Sequence, residues 1–171
     1  MSSTKIIVPW DFSDRAYAAL MYGLDRYSPE QLRVICVLER PTLYEMGPSW
    51  GPESERQSVD RCQKKFFDIV KDLDWTDLQF VARFGDPAEE ILRFAEQQEA
   101  DSILMPTHGR TGIPRLLFGS VASKVAVSAT CPIELLPNKW FEESEYGQRA
   151  VKESLTKHVK DLQSPSMEQA T

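Results

Sequence analysis

Asp101–Leu136 reads DSILMPTHGRTGIPRLLFGSVASKVAVSATCPIELL, and the fold follows from it. A short apolar run, Ile103 to Met105, leads into a loop with Thr107, His108, Gly109 and Gly112. A helix-like segment follows, from Pro114 to Ser128, with Leu116, Leu117, Val121 and Val125 as its apolar stripe and Lys124 outward. A second apolar run begins after Cys131-Pro132. Strand, glycine loop, helix and strand make a βαβ unit, and such a loop can hold an anion against backbone N–H groups.

The preceding chain repeats this alternation. Residues 4–9, TKIIVP, are β-branched and apolar and predict a buried strand. Ser13 is suited to cap a helix running to about Tyr27, whose apolar positions recur at three and four residues. Leu32–Leu38 predicts a second strand and Leu78–Phe84 a third, with a helix over Glu53–Leu73 between them. Gly85-Asp86-Pro87 stops the third strand and starts another helix, since Pro at the first helical position forgoes an N–H that would be unpaired anyway. Between the second strand and its helix, Pro41–Ser58 carries three prolines and two glycines and predicts a long surface excursion. Tyr44, Met46 or Trp50 in it could cover a ligand. Strands and helices alternating at this spacing indicate an α/β fold with an open five-stranded parallel sheet and helices on both faces.

The domain organisation expected is one α/β unit over residues 1–137. A C-terminal extension, 138–171, follows it: an amphipathic helix through Ala150, Val151, Leu155, Val159 and Leu162, then a disordered tail. A net charge of −6 and the lack of a basic stripe argue against nucleic acid as a partner. No run approaches the roughly 20 apolar residues of a membrane span, and the mixed charges of the last helix disfavour a membrane surface. The N-terminus lacks the features of a secretory signal. Cys36, Cys62 and Cys131 are widely spaced, without metal-ligand pairing, and predict buried free thiols in a reducing, cytoplasmic setting.

In an open α/β sheet, ligands bind beyond the carboxyl ends of the strands where strand order reverses. With the first and fourth strands flanking that point, Pro9-Trp10-Asp11 meets Pro106-Thr107-His108-Gly109. Asp11 offers a carboxylate to hydroxyl or amino groups. Gly109 and Gly119 allow close backbone approach, and Ser120 starts a turn that offers its N–H and hydroxyl. His108 could bond a phosphate or simply pack within the loop; no nucleophile or base is spaced with it. No phosphate-binding Lys loop or Ser-His-Asp arrangement is present, so no catalytic residue and no metal ligand is assigned.

The combination resembles the universal stress protein family. IIVPWDFSD is similar to that family's opening strand and Pro-x-Asp-x-Ser turn, and MPTHGRTGIPRLLFGSVASKVAVSATCPIELLP to its closing signature. The resemblance spans about residues 4–137 and implies strand order 3-2-1-4-5, an adenine nucleotide alpha-hydrolase-like fold and a homodimer through the last strand. In one subgroup it implies bound ATP, possibly with Mg²⁺. That subgroup carries Gly-x-x-Gly, nine residues, then Gly-Ser or Gly-Thr. Gly109, Gly119 and Ser120 match, whereas Pro106 replaces the first glycine and removes an N–H. By the same match Pro9, Asp11 and Val37 fall where the family contacts adenine and ribose, and Met105, His108, Gly109, Gly119, Ser120 and Val121 where it lines the base and phosphates. The resemblance thus implies an adenine-nucleotide stress switch read by a protein partner of unknown identity. Two other readings stand beside it: a structural homodimer module without nucleotide, and a slow ATPase.

Overall fold

The computed structural model describes residues 4–40, 50–71, 77–109 and 118–163, with side chains as far as 154. Five parallel strands form one sheet in the order β3-β2-β1-β4-β5, as the sequence implied. They are β1 (Ile6–Trp10), β2 (Leu32–Leu38), β3 (Gln79–Phe84), β4 (Ser102–Pro106) and β5 (Ile133–Leu136). Helices α1 (Asp14–Leu24) and α2 (Pro52–Val70) cover one face, and α3 (Pro87–Gln98) and α4 (Ser120–Ser128) the other.

Both faces of the sheet are therefore dry, and the central strands read as continuous apolar runs rather than alternating ones. Val8, Val34, Cys36 and Leu104 point to the α1/α2 side; Ile7, Ile35, Ile103 and Met105 point to the α3/α4 side. Phe66 of α2 fills the first layer. It stacks on Phe80 at 4.2 Å and meets Trp10 edge-on at 5.1 Å. Gly23 brings α1 close to the sheet, and a Cβ there would lie 3.1 Å from Leu104.

The caps follow the sequence. Ser13 accepts from the Ala16 N–H at 3.1 Å and Asp86 from the Glu89 N–H at 3.0 Å, starting α1 and α3. Lys124 of α4 reaches Asp86 at 3.2 Å and Glu89 at 3.6 Å, so the outward lysine clasps α4 to α3. Gly85 has φ +157°, and a Cβ there would lie 2.7 Å from Glu90 Cγ. The buried Glu90 carboxylate lies between Arg83 at 3.8 Å and Arg93.

Several boundaries differ from the sequence reading. The helix expected from Glu53 already begins at Pro52, so the excursion placed at 41–58 is helical in its last part. Proline suits that first turn, and a helix burying only Cys62, Phe66 and Val70 tolerates the polar composition that disguised its start. Residues 41–49, with Tyr44 and Met46, lie outside the described residues, whereas Trp50 packs edge-on against Phe84 at 6.3 Å. The first helix ends at Leu24 rather than Tyr27, because Arg26 and Tyr27 both donate back to the Gly23 carbonyl and close the turn. The helix expected from Pro114 is described from Ser120; Leu116 and Leu117 lie outside the described residues.

The segment after Pro137 forms two helices rather than one, α5 (Asn138–Glu143) and α6 (Glu145–Gln163). Ser144 is extended between them, and its hydroxyl accepts from the Gly147 N–H at 3.1 Å. A Cβ on Gly147 would overlap the Phe141 carbonyl, so only glycine lets the two helices meet. Both pack on α1. Ala150 is buried there, and Tyr22 meets Trp140 at 5.2 Å and Tyr146 at 5.6 Å. Tyr146 donates to Asp25 at 2.8 Å, Tyr22 to Glu134 of β5 at 2.5 Å, and Tyr17 to Glu153. The tail expected to be disordered, 164–171, lies outside the described residues. Among the described residues no helix is long and apolar enough to cross a membrane.

Candidate functional site

The sheet parts where the strand order reverses. The registered pairs between β1 and β4 are Ile6–Ser102 and Ile7–Ile103, near the start of both strands. Pro9 and Pro106 lie beyond them, and neither has an N–H with which to continue the ladder. β1 stays paired to β2 as far as Trp10–Cys36, and β4 to β5 as far as Pro106–Leu136. A crevice at the carboxyl ends of β1 and β4 results, where such folds place their ligands.

One wall is the turn Trp10-Asp11-Phe12-Ser13. Asp11 Oδ1 accepts from the Ser13 N–H at 3.0 Å, and Phe12 takes a left-handed φ of +63°. A non-glycine residue in that region is strained, and it holds here because Phe12 packs edge-on against Trp10 at 5.8 Å with Lys65 Nζ 4.4 Å above its ring. The turn delivers Asp11 to the opposite wall. Gly109 sits so close that a Cβ on it would lie 2.5 Å from Asp11 Oδ2.

The second wall is the loop from β4 to α4. The Thr107 N–H donates to the Leu136 carbonyl at 2.9 Å, and the Thr107 carbonyl accepts from the Gly119 N–H at 2.7 Å. A Cβ on Gly119 would lie 3.3 Å from that carbonyl, so its small size brings the start of α4 against the strand end. Thr107 and His108 are both buried and share a hydrogen bond of 3.1 Å between Oγ1 and Nδ1. His108 is thus packed within the loop. Gly119 caps α4 without a side-chain oxygen, so the N-cap itself leaves the N–H groups of the first turn unoccupied, and Ser120 in that turn is exposed.

The floor is apolar. Val37, Met105 and Val121 join one cluster on the α3/α4 side. Of the residues singled out in the sequence, Asp11 and Gly109 meet directly, Gly119 and His108 share the loop, and Ser120 opens α4. Pro9 lies in β1, opposite Ile35. Arg110, Gly112 and Arg115 lie outside the described residues. Sequence reasoning missed Phe12 and Thr107. The buried hydroxyl of Thr107 had no sequence signal beyond its place beside His108, and the φ of Phe12 had none at all. Among the described residues no group of three or more metal-ligating side chains is assembled.

Comparison with known proteins agrees with this architecture. The chain is 53% identical over 136 residues to Universal stress protein MJ0531 of Methanocaldococcus jannaschii, covering 75% of this chain and 79% of that protein. It is 45% identical over 142 residues to a universal stress protein of Methanothermobacter thermautotrophicus, covering 77% and 94%. Among solved structures, UspA from Lactobacillus plantarum shares the fold with a TM-score of 0.60 at 23% identity, covering 79% of this chain and 98% of that one. A universal stress protein from Archaeoglobus fulgidus, solved in complex with dAMP, gives a TM-score of 0.51 at 20% identity, covering 79% and 98%. The sequence profile of the Universal stress protein family matches residues 3–137. From the opening strand to the last, this chain belongs to the universal stress protein family.

Proposed function

We propose that this protein is an adenine-nucleotide-binding switch of the stress response, whose state is read by a partner rather than expended in turnover. Asp11 would hold the sugar or base, Pro9, Val37, Met105 and Val121 would flank the base, and the Gly109 and Gly119–Ser120 backbone would receive the phosphates. His108 would stiffen the loop. The observation that carries this reading is the contact of Gly109 with the Asp11 carboxylate across the parted β1–β4 seam. It puts a hydroxyl-binding carboxylate and the start of α4 on one crevice. The relatives solved with dAMP, with cAMP and, from Arabidopsis thaliana, with AMP support the ligand class. ATP, with or without Mg²⁺, is proposed alongside the monophosphates.

Titration calorimetry and thermal melting with ATP and AMP, each with and without Mg²⁺, test the proposal. Binding with a raised melting temperature, removed by Asp11→Ala, is expected. Absence of heat and of any melting shift at millimolar nucleotide would sink it.

A second reading draws on Pro106. That residue has no N–H, and the next amide, Thr107, is already taken by Leu136. Two strand-end donors are thus closed to a phosphate, which favours a structural module without nucleotide. In either reading we propose a cytoplasmic homodimer through β5, an edge strand in this sheet order. Light scattering at micromolar concentration checks it. Slow ATP hydrolysis is not supported by any base and nucleophile brought together among the described residues of the crevice.

A further inference from the structure

Cys36 and Cys62 are 26 positions apart in sequence, yet the fold sets them face to face. Cys36 lies on β2 and Cys62 on α2; both are buried in the same layer. Trp10 pairs with Cys36 across the sheet and meets Phe66 at 5.1 Å, and Phe66 stands one turn along α2 from Cys62, so the turn that carries Cys62 lies over Cys36. Cys62 also lines a cavity of about 630 Å³ between α2 and the carboxyl ends of β2 and β3, with Phe12, Trp50, Arg61, Lys65 and Phe84 around it. Cys62 therefore borders an open cavity with cations on its rim, and Cys36 lies in the buried layer beside it.

We propose that Cys62 is a hydroperoxide-reactive thiol, and that Cys36 resolves its oxidised form into an intrachain disulfide. The Cys62 thiolate attacks the peroxide, its O–O bond breaks, and the alcohol or water leaves with a proton. Sulfur is oxidised by two electrons to a sulfenic acid, and the peroxide is reduced. Cys36 then attacks that sulfur; the S–O bond breaks, the S–S bond forms, and water leaves with the Cys36 proton. In sum, two thiols and one hydroperoxide give one disulfide, one alcohol and one water.

The electrostatics agree in direction. Donation from Cys36 lowers the Cys62 thiol below its ordinary range; Lys65, one helical turn along α2, lowers it further, and burial opposes both. Cys36 is raised, first by that donation and then by burial, so it waits as the protonated partner. Cys131 supplies an internal control. It is more exposed than either but is raised by burial and has no thiol neighbour among the described residues. Accessibility alone would oxidise Cys131 first; thiolate character selects Cys62. None of this depends on the nucleotide.

The test uses the reduced full chain with a small excess of hydrogen peroxide, followed by intact mass and peptide mapping over time. Expected is a loss of two hydrogen masses, a Cys36–Cys62 linked peptide, and Cys62 oxidised at least about tenfold faster than Cys131. Cys36→Ser should instead leave a Cys62 sulfenic acid that dimedone traps, and Cys131→Ser should change nothing. Faster oxidation of Cys131, equal rates at all three cysteines, or oxidised Cys62 with Cys36 still free in the unmutated chain would each overturn the proposal. The unmutated protein decides by itself if the serine variant fails to fold.

Discussion

Gly109 lies so close to Asp11 that a Cβ on the glycine would come within 2.5 Å of Oδ2. The atom it would displace is the far end of a side chain, not backbone. Gly109→Ala is therefore expected to leave the melting temperature nearly unchanged while turning the carboxylate away from the crevice. Nucleotide affinity should fall about tenfold or more, equivalent to ~1.4 kcal/mol. In an Asp11→Ala background the same substitution should add little, because the group it displaces is gone. Calorimetric titration of the two single variants and the double variant checks this. Additive losses would show that Gly109 acts on the ligand by itself.

Gly147 gives the opposite pairing of effects. Its clash is with the Phe141 carbonyl, which is backbone and cannot step aside. Gly147→Ala should force α6 off α5 and α1 and cost about 1–3 kcal/mol, as overpacking does. Limited proteolysis should then cleave within α6 before the sheet domain, and nucleotide binding should persist.

Phe66 is fully buried between Trp10 and Phe80. Phe66→Ala should lower the unfolding free energy by about 3–5 kcal/mol in urea titration. The cavity it leaves adjoins Trp10, so the intrinsic fluorescence of the folded protein should change as well.

Asp86 carries a pH signature. Its carboxyl is held below the usual 3.8 first by the Glu89 N–H and then by Lys124. A depressed folded-state pKa contributes stability above the unfolded value and loses it as pH falls through the folded one. Asp86→Asn keeps an N-cap oxygen but removes the charge. The stability difference between wild type and this variant should thus be fully present near neutral pH, begin to fall near pH 3.8 and vanish only once the pH has dropped through the lower folded-state value, as followed by urea unfolding at several pH values.

Much of this was legible in the sequence where chemistry is local. Ser13 and Asp86 cap helices because they stand one residue before them, and Pro87 fits the first turn from its own φ. The strand order and the candidate residues came with the resemblance that IIVPWDFSD and the closing segment carry. What stayed hidden depends on how distant elements dock. Cys36 and Cys62 read as unrelated thiols until α2 lies on β2. The left-handed φ of Phe12 is imposed by Trp10 and Lys65, which no local pattern reports. The break at Ser144 is set by how closely Gly147 allows two helices to approach, and the short α5 before it carried no periodic signal of its own.

The parted seam between β1 and β4 has one more consequence. Two imino acids, Pro9 and Pro106, stand past its last registered pair, so the opening is written into the main chain rather than held by any particular side chain. Side chains around it can drift without zipping the strands shut. The opening is then one the backbone guarantees, and its chemistry is set by the few residues that border it.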